Sequence, residues 1–91
     1  MSYQLKAGDD SSCQLIERAS GTTISNTIPI PQSKEAVLAL MREMLRDETK
    51  TEAKSGCLTV ARMRDKLKLS SGIMNVELAW PIVFAIVLED A

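Results

Sequence analysis

This chain of 91 residues contains no histidine, the residue type that enzymes most often use for general acid–base chemistry. Without an imidazole there is no Ser-His-Asp or Cys-His system and no histidine-ligated metal site. Cys13 and Cys57 cannot complete a structural zinc site alone, and four scattered glycines form no phosphate-binding loop. The sequence therefore predicts a protein that is not an enzyme and that takes no metal, cofactor or small-molecule substrate.

Adjacent carboxylates are the next chemical signal. Asp9 and Asp10 lie between Gly8 and two serines, in a cluster that is typical of a tight turn. A full calcium site needs six or more oxygen ligands, which this segment does not supply. We interpret the pair as part of a turn.

A basic series is the remaining candidate site. It comprises Arg62, Arg64, Lys66 and Lys68, in a chain whose 11 basic and 12 acidic residues give a net charge of −1. That sum argues against non-specific binding to nucleic acid or to an anionic membrane. The series fits a phosphate site or an acidic protein partner, but a solvated surface whose cation stems cover apolar neighbours is the favoured interpretation.

The segment around this series, residues 58–80, resembles a helix-turn-helix of bacterial transcription regulators. The residues that match its spacing are Val60, Ala61, Met63, Leu67, Leu69, Met74 and Leu78. The resemblance implies two helices separated at residues 70–72, with Asn75 on the second helix available to adenine. Arg64 and Lys68 depart from the pattern, and the second helix carries no cation. We therefore favour a structural helix pair, with DNA binding as the alternative.

The elements that would position these residues begin with β-structure. Tyr3, Leu5 and Ala7 alternate with polar residues, which predicts a half-buried strand. Residues 13–18 and 22–30 can form two further strands, the second of which ends at prolines and so lies at an edge. With turns at residues 8–12 and at Ser20-Gly21, the simplest arrangement is an antiparallel meander.

A helix is predicted next, over residues 34–47. Ser33 is a suitable N-cap and Glu35 lies in the first turn. At the period of a helix, the apolar residues form one broad face. Those residues are Val37, Leu38, Leu40, Met41, Met44 and Leu45.

The last apolar run, residues 78–88, is too short to cross a bilayer as a helix and must be buried against protein. Pro81 disfavours helical backbone at Trp80, so a boundary is expected there. The following residues fit either a short helix with proline in its first turn or a strand. Their β-branched content and the acidic pair after them favour an interior strand in the N-terminal sheet.

Together these patterns predict a single α+β domain spanning residues 1–91. Residues 1–31 are expected to be mainly β and residues 33–80 mainly α, with residues 81–91 a buried C-terminal element. The architecture is an N-terminal antiparallel β-meander packed on two to three helices, with a buried C-terminal strand.

The function these patterns favour is that of a cytoplasmic, non-enzymatic binding protein that regulates or inhibits a macromolecular partner. The N-terminus lacks the pattern of a signal peptide. Surplus apolar surface favours a protein partner and a homodimer, and no membrane contact. The interface is expected at Trp80, Ile82, Phe84, Ile86 and Met44. The alternative is a helix-turn-helix regulator that binds DNA as a dimer.

Overall fold

A computed structural model describes residues 2–18 and 25–89 of the chain, with nine elements in these two segments. The first three strands form one antiparallel sheet in chain order. They are β1 (Ser2–Ala7), β2 (Cys13–Arg18) and β3 (Ser25–Ile30). Four later strands form a second antiparallel sheet, also in chain order, and consist of β4 (Glu52–Ser55), β5 (Leu58–Arg62), β6 (Lys66–Ser71) and β7 (Met74–Ala79). Helix α1 (Lys34–Arg46) joins the sheets and α2 (Trp80–Glu89) follows β7. The α+β class is thus confirmed.

In the first sheet, alternation places every second side chain on the core. Leu5, Leu15 and Ile28 are opposite one another across the three strands. The turn between β1 and β2 contains Asp9, whose Oδ1 accepts a hydrogen bond from the backbone N–H of Ser11 at 2.8 Å. The turn predicted at residues 20–21, and residues 22–24 of the predicted third strand, lie outside the described residues.

Helix α1 begins and ends as its sequence predicts. The Ser33 Oγ accepts a hydrogen bond from the backbone N–H of Ala36 at 3.2 Å, which satisfies one of the unpaired first-turn donors. The helix ends at Arg46, and the N–H of Asp47 donates to the carbonyl of Glu43. Five residues of the predicted apolar face are buried, namely Val37, Leu38, Leu40, Met41 and Met44.

The helices expected within residues 58–80 are wrong, because this segment forms β5, β6 and β7. The reason is the period of its aliphatic residues. Leu67 and Leu69 are about 200° apart on a helix, so one of them would face water, whereas on a strand they share a face. In the sheet both are fully buried, together with Leu58 and Val60. The expectation that residues 33–80 are mainly α therefore holds only for α1.

Two glycines close the hairpins of the second sheet. Gly56 between β4 and β5 has φ of +60°, and Gly72 between β6 and β7 has φ of +59°. In each two-residue loop the following residue has negative φ, the pattern of a type II′ turn. Gly72, interpreted from the sequence as part of a helix break, is thus a hairpin residue.

The C-terminal strand is also a wrong prediction, since residues 80–89 form α2. The boundary at Trp80 is where the sequence placed it, and Pro81 fits the first turn, where its missing N–H is not needed. A helix buries Val83 and Ile86 and leaves the opposite side exposed, so the run is not covered on both faces. Residues 90 and 91 lie outside the described segments.

One core joins the two sheets. Helix α1 contacts β1, β4 and β5, and α2 contacts β1, β6, β7 and α1. The buried residues come from every element and are Leu5, Cys13, Leu15, Ile30, Val37, Leu38, Leu40, Met41, Met44, Ala53, Leu58, Val60, Leu67, Leu69, Leu78, Val83 and Ile86. No polar or charged residue is buried among the described residues.

Candidate partner-binding surface

The exposed side of α2 is an apolar stripe made of Pro81, Phe84, Ala85 and Leu88. These residues follow the spacing i, i+3, i+4, i+7, which places them on one face of a helix. Phe84 is 54% exposed and Leu88 is 57% exposed. Large exposed aliphatic and aromatic side chains that adjoin one another mark interaction surfaces more often than isolated ones do. We call this set the α2 stripe.

The opposite side of α2 faces the core and holds most of the residues predicted for the interface. Ile86 is 3% exposed and Met44, on α1, is fully buried, so neither is available to a partner. Trp80 and Ile82 are half-buried against the core cluster. Only Phe84 of the predicted set lies on the stripe. Ile86 entered the predicted interface through strand-like alternation, and Met44 entered it through the broad apolar face of α1; in the structure both side chains face the core.

Arg62 holds the start of α2 against the end of α1. Its Nε donates to the carbonyl of Lys50 at 2.8 Å, and its Nη2 donates to the carbonyls of Met44 and of Asp47, the latter at 3.0 Å. The guanidinium carbon lies 4.7 Å from the centre of the Trp80 ring, a cation–π contact. One of these carbonyls, that of Met44, lies in the last turn of α1, where the helix itself leaves it unpaired. Arg62 is therefore a structural residue.

The other members of the predicted basic patch are divided in the structure. Arg64 is exposed in the turn between β5 and β6, whereas Lys66 and Lys68 are on the outer face of β6. The Lys66 Nζ lies 3.5 Å from a carboxylate oxygen of Glu77 on β7, and Lys68 is directly opposite Glu77 in the sheet register. Each lysine thus has an acidic neighbour. The four cations do not form one positive patch.

Asn75 does not lie on a recognition helix. It is exposed on β7, in the same row across the sheet as Lys54, Thr59 and Ser70. This outer face carries both acids and bases, with Lys68 directly opposite Glu77. The geometry implied by the helix-turn-helix resemblance is absent from residues 58–80.

Shifted pKa values occur away from the α2 stripe. A hydrogen bond from the Ser11 N–H, with others from nearby serine hydroxyls, lowers the pKa of Asp9. Hydrogen bonds from the Thr49 side chain and backbone similarly lower the pKa of Asp47. Burial raises the pKa of the Cys13 thiol, which makes it a poor nucleophile. The two carboxylates lie in local turns and the thiol lies in the core.

Burial is also the main reason that the pKa of Tyr3 is raised. The second reason is the hydrogen bond that its hydroxyl donates to Glu17 Oε2, at 3.0 Å across β1 and β2. Both effects favour the protonated phenol. This pair ties the edge strand to its neighbour.

Across residues 2–18 and 25–89, no three cysteine, aspartate or glutamate side chains are grouped so as to hold a metal ion. Over the same residues, neither helix is long and apolar enough to cross a membrane. Cys13 and Cys57 are free thiols, the first buried and the second exposed. What remains as a candidate site is the α2 stripe.

Sequence reasoning missed three of the four stripe residues, Pro81, Ala85 and Leu88. The run itself gave no signal for them, because residues 81–88 are all apolar or proline and fit the spacing of a helix as well as that of a strand. The four β-branched residues in the run then favoured a strand. Strand propensity depends strongly on context, and here the tertiary contacts favour a helix.

Comparison with protein-family models, with curated proteins and with solved structures finds no match for this chain.

Proposed function

We propose that this chain is a non-enzymatic, cytoplasmic binding protein that regulates or inhibits a macromolecular partner, and that the α2 stripe is its protein-binding surface. The observation that carries the proposal is the exposure of Phe84 and Leu88 on a helix whose stripe has no polar side chain. A partner that covers these side chains removes apolar surface from water, at roughly 25 cal/mol per Å².

The absence of enzyme chemistry rests on two supporting observations. The sequence has no histidine, and no polar or charged group among the described residues is buried where a reaction would be shielded from water. Enzyme sites combine secluded polar groups with strongly shifted pKa values in a cleft. The shifted carboxylates of this chain, Asp9 and Asp47, are exposed and held in local turns.

Regulation by docking also fits the distribution of charge. The outer face of the second sheet carries acids and bases in alternation, such as Lys66 beside Glu77. Such a face has no large field of one sign to attract a polyanion. An apolar partner surface on the α2 stripe is the better match, and no observation favours DNA as a second candidate.

The test is affinity capture of partners from host lysate, with nuclease present and at high salt. We expect a protein to be retained by the parent chain and lost when Phe84→Asp and Leu88→Asp are combined. Ile73→Asp is the matched control, because Ile73 is fully exposed at the tip of the β6–β7 hairpin, away from α2. Capture that requires nucleic acid and weakens steeply with salt would instead indicate polyanion binding.

A further inference from the structure

We infer that a second copy of this chain covers the α2 stripe, with the two helices packed antiparallel about a twofold axis. The inference rests on the proposed function, because both assign protein binding to the same face. It goes further by naming the occupant and the orientation.

The first argument is the symmetry of the stripe. Its four residues are placed evenly about the midpoint of α2, between Phe84 and Ala85. In an antiparallel pair with the twofold axis at that midpoint, Phe84 lies level with Ala85 of the other copy, and Leu88 lies level with Pro81. Every level then combines a large side chain with a smaller one. Such alternation lets two helices interdigitate without voids.

The second argument is charge. The stripe is uncharged, so pairing with the same stripe of a second chain buries no unpaired charge. Glu89, in the last turn of α2, lies at the negative end of its own helix. In the antiparallel pair it is level with the positive first turn of the other helix, which has no acidic residue of its own. A parallel pair would place both Glu89 side chains together.

The area of the stripe sets the strength of the pairing. A helix of 10 residues is about 15 Å long, so two copies of α2 cover less than the roughly 1,200 Å² of a standard interface. Interfaces of this size are weak and transient. We therefore expect association at micromolar concentrations or above.

The first experiment is analytical ultracentrifugation from about 10 μM to about 1 mM, a range that covers weak dissociation constants. The parent chain and Ile73→Asp are expected to shift from monomer towards dimer, whereas Phe84→Asp stays monomeric throughout. Circular dichroism of each variant shows that it is folded. A parent chain that is monomeric up to the highest concentration would overturn the inference.

The second experiment reads the orientation by disulfide cross-linking with diamide as the oxidant. In a Cys57→Ser background, Ala85→Cys places the two new thiols near the twofold axis, where a disulfide can form. Leu88→Cys places them about 10 Å apart along the antiparallel helices, beyond disulfide reach. Cross-linking of the Ala85→Cys chain alone supports the inference. Cross-linking of the Leu88→Cys chain, or of neither, contradicts it.

The two experiments separate this inference from the proposed function. If the parent chain is monomeric but Phe84→Asp still abolishes capture of a protein partner, the stripe binds another protein and only the second copy is rejected. If dimerisation and capture both survive Phe84→Asp, the α2 stripe binds nothing and both proposals fail.

Discussion

The sequence places Arg62 in a candidate basic patch, whereas in the structure its side chain has a structural role. It ends β5, where its alternation with Leu58 and Val60 directs it towards the core side of the sheet. There its planar guanidinium reaches three carbonyls and the face of Trp80 at once. A lysine cannot do this, because it has no flat fork of donors and no face to stack.

Arg62→Lys is therefore expected to lower the free energy of unfolding by about 1.5–3 kcal/mol, the range for hydrogen bonds that involve a charged group. Urea unfolding followed by Trp80 fluorescence measures it directly, since the chain has a single tryptophan. Arg64→Lys is the matched control, because Arg64 is exposed in the adjacent turn, and we expect a change within about 0.5 kcal/mol. Equal effects of the two substitutions would contradict the structural role of Arg62.

Tyr3 gives a prediction about pH. Its folded pKa is raised above the ordinary value of about 10, mainly by burial and next by Glu17. A group whose pKa is raised on folding contributes its full stabilisation below the unfolded pKa and loses it as pH rises through the folded one. Stability from this group is thus present at neutral pH and lost above about pH 10.

The phenolate absorbance of the only tyrosine reports this titration without overlap from another phenol. We expect its midpoint to lie above that of the urea-unfolded chain. Glu17→Gln should move the midpoint part of the way back, since burial remains after the charge is removed. Identical midpoints for the folded and unfolded chains would show that Tyr3 is not buried against Glu17.

Among the elements, the hairpins of the second sheet depend on backbone conformation at their glycines. Gly72 occupies a left-handed conformation, and a Cβ added there would meet no atom within 4 Å. A substitution at Gly72 therefore tests the backbone alone, free of any side-chain clash. The same positive φ at Gly56 is accompanied by close contact with Gln32, which makes that glycine a less clean test.

Gly72→Ala should cost about 1–2 kcal/mol of folding stability, because an L-residue with a Cβ is disfavoured in the left-handed region. Gly72→Asn should also destabilise the chain, since the first central position of a type II′ turn favours glycine. Thermal unfolding monitored by circular dichroism gives both values. A Gly72→Ala chain as stable as the parent would argue against the type II′ turn.

The two sheets of the domain are joined through the helices. Helix α2 contacts β1 of the first sheet and β6 and β7 of the second, and it contributes Val83 and Ile86 to the core. Its other side carries the α2 stripe. One helix thus serves both stability and the proposed binding, on opposite faces.

Substitutions on those two faces should differ in their effect on the free energy of unfolding. Ile86→Ala is expected to lower the free energy of unfolding by about 2–5 kcal/mol, a large share of the stability of a domain this small. Leu88→Ala should change it by no more than about 0.5 kcal/mol, while weakening any association through the stripe.

Deletion of residues 82–91 should abolish cooperative unfolding, because two core side chains are lost. A truncated chain that unfolds cooperatively would show that α2 is a detachable peptide.

Elements whose signals are local could be predicted from the sequence. The alternation of Tyr3, Leu5 and Ala7 predicted β1, and the cap at Ser33 with the broad apolar face predicted α1. Each such signal is complete within one turn of helix or a few residues of strand. The lack of histidine likewise required only a count.

The fold of residues 58–89 depends on contacts between segments that are distant in the sequence. Leu58, Val60, Leu67 and Leu69 fit part of a helical spacing as well as a strand spacing, and only the pairing of neighbouring strands buries all four. The apolar run that became α2 has no polar residue to mark its exposed side, so its period could not reveal whether it was helix or strand. The α2 stripe can be identified only after the structure shows that Val83 and Ile86 face the core. The packing of segments that are distant in the sequence sets which side of the helix is buried.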